Sequence, residues 1–207
     1  MNKDNICYNM ALEATSKIPG ATTIFKIIWT DPENKRQEEF SEKVIAKMKK
    51  LGGKVVNTED WIKDYKNKKE LLNIDSHIKR DIIQNILINN LSSDWKDSFI
   101  DAEEFLFMRY YDSFCDLHFK ILKFMQNPMK VLTEKQKDSI YSCSLKDVLI
   151  TAFPEVKGHE DILSIIVDEL NRCELISSSI GCGMTRNGLR NNRLTSFGQQ
   201  FCKYFQI

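Results

Sequence analysis

From residue 144 onward, the spacing of apolar residues leaves this chain few ways to fold. Leu145, Val148, Leu149, Ala152 and Phe153 recur at i, i+3, i+4, i+7 and i+8, which predicts a short helix with one buried face. Ser144 stands where an N-cap is needed and Pro154 ends the run. A longer helix is predicted over 159–175, with Ile162, Leu163, Ile166, Val167, Leu170 and Cys173 inward. The period then changes. Residues 175–180 alternate and are rich in β-branched side chains, 181–188 are turn-rich, and 189–194 return, so a two-stranded hairpin is expected. Residues 195–205 close the stretch as a helix carrying Phe197, Phe201 and Phe205 at i, i+4 and i+8. Such a chain packs short helices against one small β element.

Upstream, the periodic segments read as helices. The first, over 3–17, carries Ile6, Met10 and Ala14. Residues 21–29 are apolar and β-branched, open to strand or helix, and helical neighbours favour helix. Asp31-Pro-Glu-Asn34 makes a turn. Residues 35–51 place Phe40, Val44, Ile45, Met48 and Leu51 on one stripe, closed by Gly52-Gly53. Asn57 is read as the cap of a charged helix reaching Leu72. Asp75-Ser76 caps another, with Ile78, Ile82, Ile83, Ile86, Leu87 and Leu91 on its apolar face. Ser92-Ser-Asp94 starts a helix toward Tyr111. Its aromatics, Phe99, Phe105, Phe107, Tyr110 and Tyr111, sit at helical spacing and read as core or a packing face in preference to base-stacking groups. Residues 114–125 form a further helix with Phe114, Leu117, His118, Ile121, Leu122 and Met125 inward, stopped by Asn127-Pro128. The expected fold is therefore mainly α, with a helical region over 1–111 and a second domain over 112–207.

Composition removes several function classes. A net charge of +1 gives the whole chain no strong nucleic-acid or membrane signature. Its most apolar run, 18–29, is shorter than the roughly 20 residues a bilayer requires and contains Lys26, so no membrane span is expected. The N-terminal residues lack the apolar core of a secretory signal. Six cysteines with no C-x-x-C pair read as reduced, mostly buried thiols of a cytoplasmic protein. Abundant Asn, Lys and Ile fit an AT-rich bacterial or phage genome.

The order helix, helix, helix, two-stranded wing, closing helix, ending in Leu194-Thr195-x-x-Gly198-x-x-Phe201, resembles the winged helix-turn-helix fold. That resemblance implies a binding function, frequently on DNA and frequently as a dimer; the 99–111 helix is the face expected to dimerise. Over roughly residues 15–128, Ile18-Pro-Gly20, Lys35-Arg36-x-x-x-Phe40 and Asp116-Leu-His-Phe-Lys-Ile-Leu122 resemble a group of uncharacterised bacterial proteins, which implies no activity.

If the 160–172 helix read a major groove, its outer face would offer hydrogen-bonding and cationic groups to bases and phosphates. The spacing instead places Asp161, Ser164, Asp168, Asn171 and Arg172 outside, with Glu160 and Glu169 nearby, and phosphates repel such a face. Residues 175–207 contain no Asp or Glu and carry the candidate nucleic-acid contacts Arg186, Arg190, Arg193 and Lys203, with Asn187, Asn191 and Asn192 beside them. A charged hairpin that keeps its edges from pairing explains the same residues. No catalytic motif, cofactor or metal site is expected. Gly181-x-Gly183 lacks the G-K-[ST] ending of a phosphate loop. Asp101-Ala-Glu-Glu104 reads as a solvated turn, and His118 as a satisfied core histidine. Cys115 and His118 can meet at i, i+3, but two ligands do not make a zinc site. The expectation is a binding module, with DNA or a protein as partner.

Overall fold

The computed structural model describes residues 8–9, 12–13, 15–16, 20–30, 37–51, 58–92 and 99–207. Ile6, Met10 and Ala14, the 31–34 turn, Gly52-Gly53, and the starts expected at Asn57 and Ser93-Asp94 lie outside them. The chain divides into two compact units, Met1–Met108 and Arg109–Ile207. The described residues are mainly helical, with one two-stranded antiparallel sheet. None of their helices is long and apolar enough to cross a membrane.

In the first unit, α1 (Ala21–Thr30) settles the strand-or-helix ambiguity. Its buried residues Ala21, Ile24, Phe25 and Ile28 fall at i, i+3, i+4 and i+7, a helical period. Helix α2 (Gln37–Leu51) packs against it and buries Phe40, Val44, Ile45 and Met48 of its predicted stripe, while Leu51 at its end is half-buried. Helix α3 (Thr58–Lys68) inserts Trp61 and Tyr65 and runs on as a 3-10 turn over Lys69–Asn73. Phe40 stacks on Tyr65, their centroids 6.3 Å apart. The Trp61 indole N–H donates to the Leu87 carbonyl of α4 (His77–Asn89) at 2.7 Å, so this large side chain is buried with its polar atom satisfied. Ser76 caps α4 by accepting from the Lys79 amide. Lysines of α2 reach its polar side: Lys43 donates to Gln84 at 2.9 Å and Lys47 to Asn89 at 3.2 Å. The unit boundary falls within α5 (Asp101–Ser113).

The second unit contains α6 (Asp116–Gln126), α7 (Pro128–Val131), α8 (Glu134–Ser139), β1 (Ser142–Ser144), α9 (Leu145–Ala152), α10 (Glu160–Arg172), β2 (Gly183–Thr185) and α11 (Ser196–Phe205). Several boundaries have local causes. The Thr133 hydroxyl accepts from the Gln136 amide, and the Gln136 side chain accepts from the Thr133 amide, which starts α8. Ser144 and Asp147 do the same for α9, and the Ser144 hydroxyl donates to the Asp147 carboxylate at 2.6 Å. Those bonds to Ser144 hold the Asp147 carboxyl below the usual carboxylate range. Pro154 stops α9 and opens a 3-10 turn over Pro154–Val156.

The β element differs from expectation. The regular strands are neither 175–180 nor 189–194. They are β1 and β2, paired antiparallel in the register Ser142↔Thr185, Cys143↔Met184 and Ser144↔Gly183. The segments expected as strands meet at one bridge, Ile176↔Leu194, where the Ser177 amide donates to the Arg193 carbonyl and the Thr195 amide to the Leu175 carbonyl, each at 3.1 Å. Beyond it the second segment starts in a 3-10 turn, Asn187–Arg190, which breaks the ladder. Gly183–Thr185 pairs instead with the extended approach to the Ser144 cap.

Aromatic packing fastens the last helix. Phe201 and Phe205 of α11 meet Phe114, Phe119 and Tyr111, with Tyr111 to Phe205 at 5.8 Å and Phe114 to Phe201 at 6.0 Å. Gly198 lets α11 approach the backbone of Leu175, since a Cβ there would run into the Leu175 carbonyl. Gly198→Ala should therefore cost about 2 kcal/mol or more by overpacking, visible as a lower urea midpoint with an unchanged slope. Burial first, then the charges of Asp112 and Asp116, raises the Tyr111 hydroxyl well above its ordinary value. Its raised folded value gives stability that is fully present below about pH 10, where the unfolded tyrosine stays protonated, and that is lost as pH rises beyond it. Melting temperature should fall in that alkaline range, and Tyr111→Phe should flatten the fall.

Candidate functional site

Helix α10 is one turn shorter at its C-terminal end than its apolar run predicts, because Glu174 turns left-handed at φ 56 and ends it. Its inner residues Leu163, Ile166, Val167 and Leu170 are buried. Ile162, expected among them, is instead 47% exposed, since it lies in the first turn at the margin of the stripe. Ile165, on the far side of the helix from Leu163 and Val167, is 61% exposed. Asp161, Ile165, Asp168 and Arg172 are all exposed at i, i+4, i+7 and i+11, so one outward stripe mixes apolar and acidic groups. Glu160, beside it, is held below the ordinary carboxylate range by hydrogen bonds from backbone amides, the Gly158 amide first, and stays ionised.

Asn171 does not serve that face. Its amide donates to the Val167 carbonyl at 3.0 Å and to the Ser178 carbonyl at 2.8 Å, clasping the segment after α10 against the helix. Sequence spacing alone places it outward, because the periodicity carries no information about a later loop returning to cover it.

The four cationic residues singled out from the sequence differ in their surroundings. Arg193 turns inward: its guanidinium donates to Ser178 Oγ at 3.3 Å and Cys182 Sγ at 3.7 Å, while its amide donates to the Met125 carbonyl at 2.9 Å. It ties the loop between α10 and α11 to itself and to α6. Arg186 is exposed but paired with Asp138 at 2.7 Å, an acidic neighbour from α8. Arg190 is exposed at the end of the 3-10 turn, with no carboxylate partner among the described residues. Lys203 is exposed on α11. Tyr141, 78% exposed, sits just outside the Ser142↔Thr185 pair and hence across from Arg186. Residue type gives no warning of the pairing that brings it there.

Other candidate chemistry is satisfied or dispersed. In the first unit, a cleft of about 240 Å³ is lined by Asp60, Trp61, Lys63, Asp64, Asn67, Asn90 and Glu104. Its Asp64 is already engaged by Lys68 and, at 2.7 Å, by Asn90. Asp101 and Glu103 belong to the first turn of α5, where Glu103 accepts from the Ile100 amide at 3.1 Å. No group of three or more potential metal ligands occurs among the described residues. Of the 99–111 aromatics, Phe99, Phe107 and Tyr111 are buried, whereas Phe105 is 68% exposed.

These placements separate a structural arginine from a solvent-facing one. Arg193→Ala should destabilise the chain by about 1–3 kcal/mol, since it leaves its partners unmatched. Arg190→Ala should stay within about 0.5 kcal/mol of the parent; urea unfolding of the two variants checks this. Compared with known proteins, the chain matches no family model, no curated protein and no solved structure.

Proposed function

We propose that the C-terminal unit is a protein-binding module of winged-helix type, docking through the outer face of α10. Support for the fold reading is the succession α6, β1, α9, α10, followed by a loop whose two arms meet at Ile176 and Leu194 and by α11. The observation that carries the function is the exposure of Ile162 and Ile165 between Asp161 and Asp168. Water gains by covering two neighbouring isoleucines, while flanking carboxylates repel a phosphate backbone and attract a basic surface. The partner that fits is a protein segment presenting apolar side chains flanked by Lys or Arg, such as one face of a basic amphipathic helix.

The nucleic-acid reading through the wing has less support. Of its four candidate contacts, Arg193 is committed to the loop and Arg186 to Asp138, which leaves few cations to neutralise phosphates.

A labelled helical peptide with leucines on one face and lysines beside them serves as probe, with a glutamate-flanked peptide of equal hydrophobicity as control. Selective binding of the lysine peptide, weakened by salt and abolished in Ile165→Glu, is expected by fluorescence anisotropy. Equal binding of both peptides, or retention in Ile165→Glu, overturns the α10 surface. Duplex DNA should not bind at about 50 mM salt, where non-specific affinity is high. Binding there that Arg190→Glu removes would replace this reading with the nucleic-acid one.

A further inference from the structure

Three side chains brought together by α6 and α10 play no part in the docking surface. Cys115, at the N-cap of α6, is exposed, and its Sγ lies 3.2 Å from His118 Nδ1. His118 is 5% exposed and stacked on Phe114, centroids 4.5 Å apart and planes within 4°. Its Nε2 lies 3.1 Å from Glu169 Oε2, on the opposing helix. The Cys115 amide also donates to Nδ1, at 3.1 Å. That bond puts the ring proton on Nε2, where the carboxylate accepts it.

Helix capping accounts for the bond between the Cys115 amide and the ring. It also sets the sulfur beside the ring, as it sets Ser144 Oγ beside Asp147, but it requires no carboxylate from another helix on Nε2. An accessible thiol, a fixed imidazole whose Nδ1 lies beside the sulfur, and a carboxylate orienting that imidazole are together the arrangement that activates a nucleophile.

We propose that Cys115 is a nucleophilic thiol and a site of reversible S-thiolation by low-molecular-weight disulfides, with His118 as its base and Glu169 as the positioning residue. The Cys115 thiol proton passes to His118 Nδ1, displacing the backbone amide, and the Glu169 carboxylate balances the imidazolium. The thiolate attacks one sulfur of the disulfide, a new Sγ–S bond forms, and the old S–S bond breaks. Its electron pair leaves on the departing thiolate, which takes the proton from His118. Cys115 is oxidised to the mixed disulfide and one half of the small disulfide is reduced to thiol. Excess small thiol reverses the step.

The same unit holds internal comparators. Burial pushes the Cys202 thiol up to about 12. Burial first, then the Glu169 charge, raises Cys173. Cys143 and Cys182 are half-buried.

The test uses the full chain in a Cys7→Ser background with glutathione disulfide at neutral pH, reading the initial rate at each cysteine by peptide mass spectrometry. Cys115 should react about tenfold faster than Cys143, Cys173 and Cys182. His118→Gln should slow Cys115 by about tenfold or more and leave the other sites unchanged. Glu169→Gln should slow it less, with Glu169→Asp recovering part of the rate, and both should keep the parent melting temperature. Should His118→Gln loosen the fold and speed every cysteine, the Glu169 pair carries the test, since that side chain is 34% exposed. A Cys115 rate no faster than its comparators, or one unchanged in Glu169→Gln, overturns the proposal.

Discussion

The C-terminal unit depends on a cluster of aromatic rings. Tyr111, Phe114, Phe119, Phe201 and Phe205 are each at most 1% exposed, and Phe201 and Phe205 alone stand 4.6 Å apart. Each ring buries on the order of 150–250 Å², so a few such side chains outweigh the weak propensity of an eleven-residue helix in isolation. Their packing sets the position of α6 relative to α11, and three things follow from α6. The Met125 carbonyl becomes available to the Arg193 amide, His118 is held against Phe114, and the Cys115 sulfur is left at the surface.

Polar side chains then finish what the rings begin. The loop between α10 and α11 has almost no ladder of its own, a single bridge and one short pairing with β1. Asn171 and Arg193 replace that ladder with side-chain hydrogen bonds to Ser178 and Cys182. Arg193 is used in this way, whereas the mixed apolar and acidic stripe of α10 stays exposed.

Much of this was legible in the residues. The Ser144 cap, the stop at Pro154, the stripes of α2, α9 and α10, and the i, i+4 placement of Phe201 and Phe205 all rest on local spacing, which the folded chain keeps. The strand positions were not legible. Ser142-Cys-Ser144 has no β-branched residue, and its partner is remote in sequence, so nothing local marks it as an edge. Nor does sequence separate Arg190 from Arg193, or show that Glu169 reaches a histidine fifty-one positions away. Ile162 marks the middle case: its period puts it on the margin of the buried stripe, and how far the core extends decides the matter.

The place of Phe201 and Phe205 in that ring cluster bears on how the molecule is made. During synthesis, Phe114 and Phe119 emerge from the ribosome long before the two rings that cover them. The α6 surface therefore stays open to water, and to other nascent chains, until residue 205 has cleared the exit tunnel. The C-terminal unit closes only after its own translation, and a chaperone that shields aromatic surface has a defined interval in which to act.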